Sequence, residues 1–131
     1  MLKLNPAREQ RILAVTQWSR LEHGSLNLSV DAGVLEALLL YTPVWTEPGT
    51  SVRYPPPFQH IPLRRGEYYY YSAHAHVAAE SEGILVRRPK IIAGYPRCVE
   101  VFAATNLTER FSLQLGEQVS VELDLARSPL R

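Results

Sequence analysis

A hydroxyl and a side-chain amide stand two residues apart in the segment at residues 23–28 (HGSLNL), a spacing that suits metal binding. The two leucines of this segment predict a strand with one buried face. Side chains two apart on a strand share a face, so Ser25 and Asn27 would present two oxygen atoms side by side. Such oxygen pairs suit a hard cation such as Mg²⁺ held against a phosphate. The same pattern also fits a hairpin edge with a solvated polar face.

A second candidate metal pair is His74 and His76, which share one face of another predicted strand. Two histidines at this spacing on a barrel strand are typical of Zn²⁺ or Fe²⁺ sites, although such sites need further ligands. The candidates for those ligands, among which spacing does not choose, are His23, His60, Glu80 and Glu82. The alternative is an exposed polar face that carries two histidines.

Aromatic and basic runs offer two further possibilities. The tyrosines at 68–71 could stack on a flavin or a base, or could instead pack a barrel interior. The clusters Arg64–Arg65 and Arg87–Lys90 could neutralise phosphates. Charge runs this short usually form solvated surface, which is what we expect of both clusters.

Composition limits the class of protein. A chain of 131 residues is expected to form a single domain. The formal net charge of +1 gives no electrostatic case for binding nucleic acid or an anionic membrane. The single cysteine, Cys98, excludes an internal disulfide and a multi-cysteine metal site. Neither a membrane-spanning apolar run nor a signal peptide is recognisable, so we expect a cytoplasmic protein.

Hydrophobic patterning predicts many short strands with close turns, which is typical of a small β-barrel with one or two short helices. Short helices are expected after Asp31 and after Thr105 or Asn106, whose side chains suit helix N-caps. A turn is predicted at 80–83, a proline-rich loop at 43–62, and an irregular or disordered tail after about residue 126. The predicted strands are 11–19, 24–30, 67–77, 84–88, 99–103 and 119–123.

The order of several motifs resembles the CTP-dependent riboflavin kinases known from archaea. Residues 24–28 are similar to that family's P-G-T-L-N-V motif. Residues 71–73 and 83–89 resemble its paired strand that ends in arginine and proline. Residues 99–103 are similar to its stretch around a central glutamate, and residues 113–119 to its L-x-D-G-D-x-V ending.

The resemblance implies a cradle-loop (RIFT-like) β-barrel that moves the terminal phosphate of CTP to riboflavin, giving FMN and CDP. It implies that Ser25 and Asn27 hold Mg²⁺ and that Glu100 and Tyr95 contact the flavin. It also implies contacts with the nucleotide, and the matching positions are Gly24, Thr105, Asn106 and Leu107.

The chain departs from this family where the nucleotide phosphates are held. The family has a glycine-rich phosphate loop near its N-terminus, whereas the first glycine here is Gly24. His23, Ala104 and Thr108 replace a proline, a proline and an arginine of the motifs. Three hypotheses follow: an active riboflavin kinase, a non-catalytic barrel that binds a flavin or nucleotide, and a metal-dependent barrel enzyme that uses His74 and His76.

Overall fold

The structure, a computed structural model, describes residues 6–22, 26–53, 57, 62–90 and 97–131. The fold is mainly β, as predicted, and its main antiparallel sheet curls into a half-barrel accompanied by a few short helices. In chain order the elements are α1 (Pro6–Thr16), β1 (Leu26–Ser29), α2 (Ala32–Leu38), β2 (Trp45–Glu47), β3 (Thr50–Arg53), β4 (Pro62–Arg65), β5 (Tyr68–Val77), β6 (Glu80–Pro89), β7 (Cys98–Ala103), α3 (Leu107–Arg110) and β8 (Ser120–Leu123).

The long hairpin of β5 and β6 is the centre of the main sheet, whose strand order is β1-β7-β6-β5-β2. The outer edge of β5 is shared by two short strands. Its first part, Tyr68–Tyr70, pairs with β2, and a later part, Ala73–His76, pairs with β8. Strands β3 and β4 form a separate two-stranded sheet. One ten-residue strand thus joins segments that lie far apart in sequence.

The turn of the β5–β6 hairpin lies at residues 78–79, so the turn predicted at 80–83 is wrong. Residues 80–83 begin β6, where Gly83 pairs with His74. A Cβ atom at Gly83 would meet nothing within 4 Å, so packing does not demand a glycine there. Ala78 instead takes the left-handed conformation, with φ of 54°. The glycine and the acidic residues suggested a turn that begins two residues and ends four residues too late.

The strand predicted at residues 11–19 is also wrong, because most of this segment belongs to α1. Pro6 begins the helix, where the fixed φ of proline is favourable. The helix ends where Gln17 takes φ of 62° and its N–H donates to the carbonyl oxygen of Leu13 at 2.8 Å. Ile12 is the fully buried residue of α1. Because the buried stripe of α1 is this narrow, the apolar residues of the segment show a weak helical period.

The region at 43–62, predicted as one long loop, contains β2, β3 and the first residue of β4. The loop prediction is therefore wrong for these strands. Most of the proline-rich run at 54–58 lies outside the described residues. The segment after residue 126 is irregular, but it is held by the rest of the fold. Leu130 forms a β-bridge with Tyr41, and the buried Ser128 hydroxyl accepts a hydrogen bond from the Ser72 N–H at 3.2 Å.

The remaining predicted elements that the structure describes are confirmed. They are the strands within 26–29, 68–77, 84–88, 99–103 and 120–123 and the helices after Asp31 and Asn106. Asn106 caps α3, because its side-chain oxygen accepts a hydrogen bond from the Glu109 N–H at 3.1 Å. Asp31 precedes α2 without such a side-chain bond. None of the helices in the described ranges is long and apolar enough to cross a membrane.

Apolar side chains pack on both faces of the sheet, because successive residues of β5 point to opposite sides. On the first, here called the groove face, sheet residues such as Tyr71, Val86 and Val101 pack against α2 and α3. On the second, here called the α1 face, Tyr70 and Phe102 pack against Ile12 of α1. A groove lies on the groove face, and a network of ion pairs lies on the α1 face.

Candidate functional site

A groove of about 760 Å³ lies on the groove face, between β1, α2 and the segment at 115–121. Its lining is mostly apolar. The turn at Leu115–Gly116 forms part of its rim, and Gly116 takes φ of 87°, where a side chain would be strained. Side chains of the sheet and of α2 line the inner part, among them Leu28, Leu38, Tyr41, Val86 and Val99. A volume of this size suits a small-molecule ligand.

Asn27 is the sequence-predicted metal ligand that the structure places beside this groove. It lies on β1, whose pairing partner among the described residues is β7, so β1 is an edge strand there. Asn27 is exposed, and its partner in the register is Glu100. The proposed second ligand, Ser25, lies outside the described residues, as do Gly24 and Tyr95. Asn27 and Glu100 are therefore direct neighbours across β1 and β7, while the other half of the predicted metal pair stays a prediction.

Glu100 points to the α1 face, since its neighbours Val99 and Val101 belong to the core of the groove face. Its carboxylate accepts a hydrogen bond from Nη1 of Arg87 at 3.3 Å. A flavin contact at Glu100 stays a prediction, and any such contact would have to share the carboxylate with Arg87.

Arg87 joins two carboxylates on the α1 face. Its Nη2 donates to Oε1 of Glu47 at 2.8 Å, in addition to the bond to Glu100. Glu47 accepts a second strong bond, from Nε of Arg8 at 2.6 Å. The Arg87 guanidinium also stacks on the ring of Tyr68, with 3.6 Å between the Cζ atom and the ring centroid. Two arginines and two glutamates thus form a network of balanced charge, which is how buried ions are tolerated.

The electrostatics of this network follow from burial and from the two arginines. Burial acts to raise the pKa of Glu47, but the hydrogen bonds and charges of Arg8 and Arg87 outweigh it, so the pKa lies below 4.5. Burial raises the pKa of Tyr70, whose hydroxyl stays protonated and donates to Oε1 of Glu47 at 3.3 Å. Apart from Nε of Arg87, which is buried without a partner among the described residues, these groups satisfy each other, which indicates a structural role.

A smaller cavity of about 160 Å³ brings together the three nucleotide contacts predicted near α3, Thr105, Asn106 and Leu107. It shares β1 and β7 with the groove, because Leu26 and Val101 line it. Leu107 is buried in the core and Asn106 caps α3, so both have structural roles as well.

His74 and His76 lie side by side on the α1 face of β5, with 6.4 Å between ring centroids. Glu80 and Glu82 pair with Val77 and Ala75 in the register, so they point to the other face and do not complete a site with the histidines. Within the described residues, no group of three or more His, Cys, Asp or Glu side chains could hold a metal. Sequence reasoning missed Glu122, whose carboxylate lies 3.5 Å from Nε2 of His76. The pairing of β8 with β5 brings it there.

The cluster at Arg87–Lys90, expected to be solvated surface, is largely interior. Arg88 is 0% exposed and Arg87 belongs to the network on the α1 face, whereas Lys90 is exposed. The expectation is wrong because both arginines lie within β6, which is covered on both faces. The unbroken apolar run at 84–86, which is typical of a strand buried on both faces, is the sequence feature that could have indicated it.

Compared with known proteins, the chain matches no protein-family model and no curated protein. The fold class rests on the structure, and the functional hypotheses rest on the groove and on the motifs.

Proposed function

We propose that this half-barrel binds a flavin in the groove between β1, α2 and the segment at 115–121. The observation that carries the proposal is the groove itself, with its volume of about 760 Å³ and mostly apolar lining. Apolar walls suit a flat heteroaromatic ring system, and a few polar groups at the border suit a polar side chain. Glu117 and Gln118, which border the groove on the segment at 115–121, supply such groups. The motif resemblance, which implies a flavin, supports the same ligand class. We also propose the cytoplasm as the location.

Filling the groove is expected to weaken flavin binding strongly. Ala37 lines the groove from α2 and is exposed, so Ala37→Trp adds bulk without entering the core. We expect at least about a tenfold loss of riboflavin affinity, because the indole would occupy ligand space. The measurement is a titration that follows quenching of flavin fluorescence.

The matched control is Glu36→Trp, at the preceding exposed position of α2, outside the residues that line the groove. It should bind riboflavin as the wild type does. Equal binding by the wild type and Ala37→Trp would place the ligand elsewhere. No fluorescence change and no thermal shift with riboflavin, FMN, CTP or CDP would contradict the proposal altogether.

Riboflavin kinase activity is the second candidate, favoured by the position of Asn27 on the edge strand that borders the groove, where its side chain shares the α1 face with that of its register partner Glu100. In this reaction the terminal phosphoryl group of CTP leaves CDP and bonds to a riboflavin hydroxyl oxygen, which releases its proton. Such transfer depends on positioning and on neutralising phosphate charge, which bound Mg²⁺ supplies. The Asn27 amide oxygen and the Glu100 carboxylate are donors of the kind that Mg²⁺ takes.

If Asn27 is a metal ligand, Asn27→Ala should lose FMN formation by about 100-fold or more, because the metal clamp on the phosphates would be weakened. FMN formed from riboflavin, CTP and Mg²⁺ is quantified by chromatography. Ser29→Ala, another groove-bordering change on β1, serves as the control and should retain activity. Equal activity in Asn27→Ala would refute the metal role. Flavin binding without FMN formation by the wild type would favour the non-catalytic alternative.

A further inference from the structure

Arg88 is a fully buried cation with no acidic partner within the described part of the protein. It is 0% exposed, and its Nε, Nη1 and Nη2 atoms make no hydrogen bond there. The hydroxyl of Tyr71, another core residue of the groove face, is also buried; it lies close enough to Arg88 for the guanidinium to act on its pKa, although no hydrogen bond within 3.5 Å joins the two groups. An arginine keeps its charge in proteins, so this group remains a cation. Burial of an unpaired charge is costly, which makes this arrangement exceptional within a well-packed sheet.

The chain's own carboxylates do not balance Arg88. All 13 aspartates and glutamates lie in the described ranges, and none forms an ion pair with it. The neighbouring arginine differs in this respect, since Arg87 binds both Glu47 and Glu100. The counter-charge for Arg88 therefore has to come from outside the chain's acidic side chains.

A second cation stands close to Arg88. The Arg131 guanidinium lies over the ring of Tyr69, with 5.7 Å from Cζ to the centroid, and Tyr69 is the register partner of Arg88. Burial raises the pKa of Tyr71, while the charges of Arg88 and Arg131 both act to lower it. Two guanidinium groups and a phenol hydroxyl thus converge, and all three can donate hydrogen bonds.

This cluster adjoins the groove. Val86 lines the groove and precedes Arg88 by two residues on the same face of β6. Tyr41 also lines the groove, and its carbonyl oxygen accepts a hydrogen bond from Nε of Arg131 at 3.2 Å. A ligand in the groove could therefore extend a charged group towards the cluster.

We infer that Arg88, Arg131 and the Tyr71 hydroxyl form the receptor for a phosphate group carried by the ligand of the groove. Guanidinium groups bind phosphate through paired, charge-assisted hydrogen bonds. Phosphate would reach the buried nitrogens of Arg88 by displacing neighbouring side chains, among them the exposed side chain of Arg131. That the ligand is a flavin rests on the proposed function. If the ligand is a flavin, the receptor selects FMN over riboflavin.

The experiment compares riboflavin, FMN and inorganic phosphate on the full chain. Wild type should bind FMN about 10- to 100-fold more tightly than riboflavin, as expected for hydrogen bonds to a charged group. Phosphate should raise the melting temperature more than sodium chloride at equal ionic strength. Arg88→Met should lose both effects and melt at a higher temperature than wild type without ligand, because it replaces an unpaired buried charge by an apolar side chain.

Two further variants make the test independent of the folding of Arg88→Met. Arg131→Ala changes an exposed residue and should lower the preference for FMN several-fold. Lys90→Met removes an exposed cation two residues from Arg88 and should keep the full preference. A preference that survives in Arg88→Met or Arg131→Ala, or equal affinity for FMN and riboflavin in wild type, would overturn the inference while leaving flavin binding intact. Arg88-dependent stabilisation by phosphate, in a protein that binds neither flavin, would support the receptor and contradict the flavin.

Discussion

Replacement of Arg87 by methionine is expected to lower the free energy of unfolding by about 3–5 kcal/mol, the range for removing one partner of a buried ion pair. The Arg87 side chain is 13% exposed and that of Glu47 15%. Without Arg87, Glu100 loses its partner at 3.3 Å and Glu47 keeps only the bonds from Arg8 and Tyr70 among those described. The stacking of the guanidinium on Tyr68 is lost as well. Urea denaturation, followed by circular dichroism, measures the change.

Two controls separate this effect from the loss of any positive charge. Lys90→Met breaks the exposed ion pair with Glu67 and should leave the denaturation midpoint unchanged. In a double-mutant cycle, Arg87→Met combined with Glu47→Gln should cost less than the sum of the two single changes, because each partner depends on the other. Equal midpoints for Arg87→Met and Lys90→Met would show that the network contributes nothing to stability.

The dependence of stability on pH in the acid range should reflect the same network. The pKa of Glu47 is lowered in the folded protein, so its contribution to stability is complete above its ordinary value of 4.5. The contribution is lost as the pH falls below 4.5 and through the lowered pKa, where the carboxylate takes up a proton. In Arg87→Met one of the two arginines that hold this pKa down is gone. The loss of stability in this acid range should therefore be smaller than in wild type.

The strands could be predicted from local patterns, whereas the groove could not. Alternation along Tyr68–Val77 predicted β5 and its two faces, and the structure confirms both. The groove, however, combines β1 and α2 with the segment at 115–121, which lies about ninety positions further along the chain. Such a site depends on the pairing of β1 with β7 and of β8 with β5. Neither pairing can be predicted from the local sequence.

The two buried arginines show a second limit of prediction from the sequence. Charged side chains are seldom fully buried, so a run of Arg87 and Arg88 indicates surface by default. Burial of Arg87 is explained only by the register, which sets it opposite Glu100, and by β2, which carries Glu47 to the same face. Arg88 has no such acidic partner among the described residues, and for that reason we infer that a ligand supplies its counter-charge.

Substitution of Phe102 by alanine is expected to be as destabilising as the loss of Arg87, at about 3–5 kcal/mol. Phe102 is 0% exposed, and its ring centroid lies 6.3 Å from that of Tyr70, which in turn stacks on Trp45 at 4.3 Å. A cavity at Phe102 would remove the support of both rings and of Ile12 on α1. The phenylalanine thus connects the sheet to the helix that covers it.

Tryptophan fluorescence offers a local readout of this change. Trp18 and Trp45, the two tryptophans of the chain, both pack against the core of the α1 face. Phe102→Ala should shift their emission and lower the denaturation midpoint, while Phe102→Leu, which leaves a smaller cavity, should do both to a lesser extent. A loss below about 1 kcal/mol for Phe102→Ala would contradict the packing described.

Flavin binding should survive the same substitution at temperatures where Phe102→Ala remains folded. Phe102 points to the α1 face, whereas the groove is lined from the other face of β7 by Val99. Sites on opposite faces without shared contacts are expected to behave additively. Ala37→Trp should then weaken binding at least about tenfold with little loss of stability, and Phe102→Ala should reduce stability with little loss of binding. That reciprocal result would assign recognition to the groove face and the stability of the helix–sheet core to the α1 face.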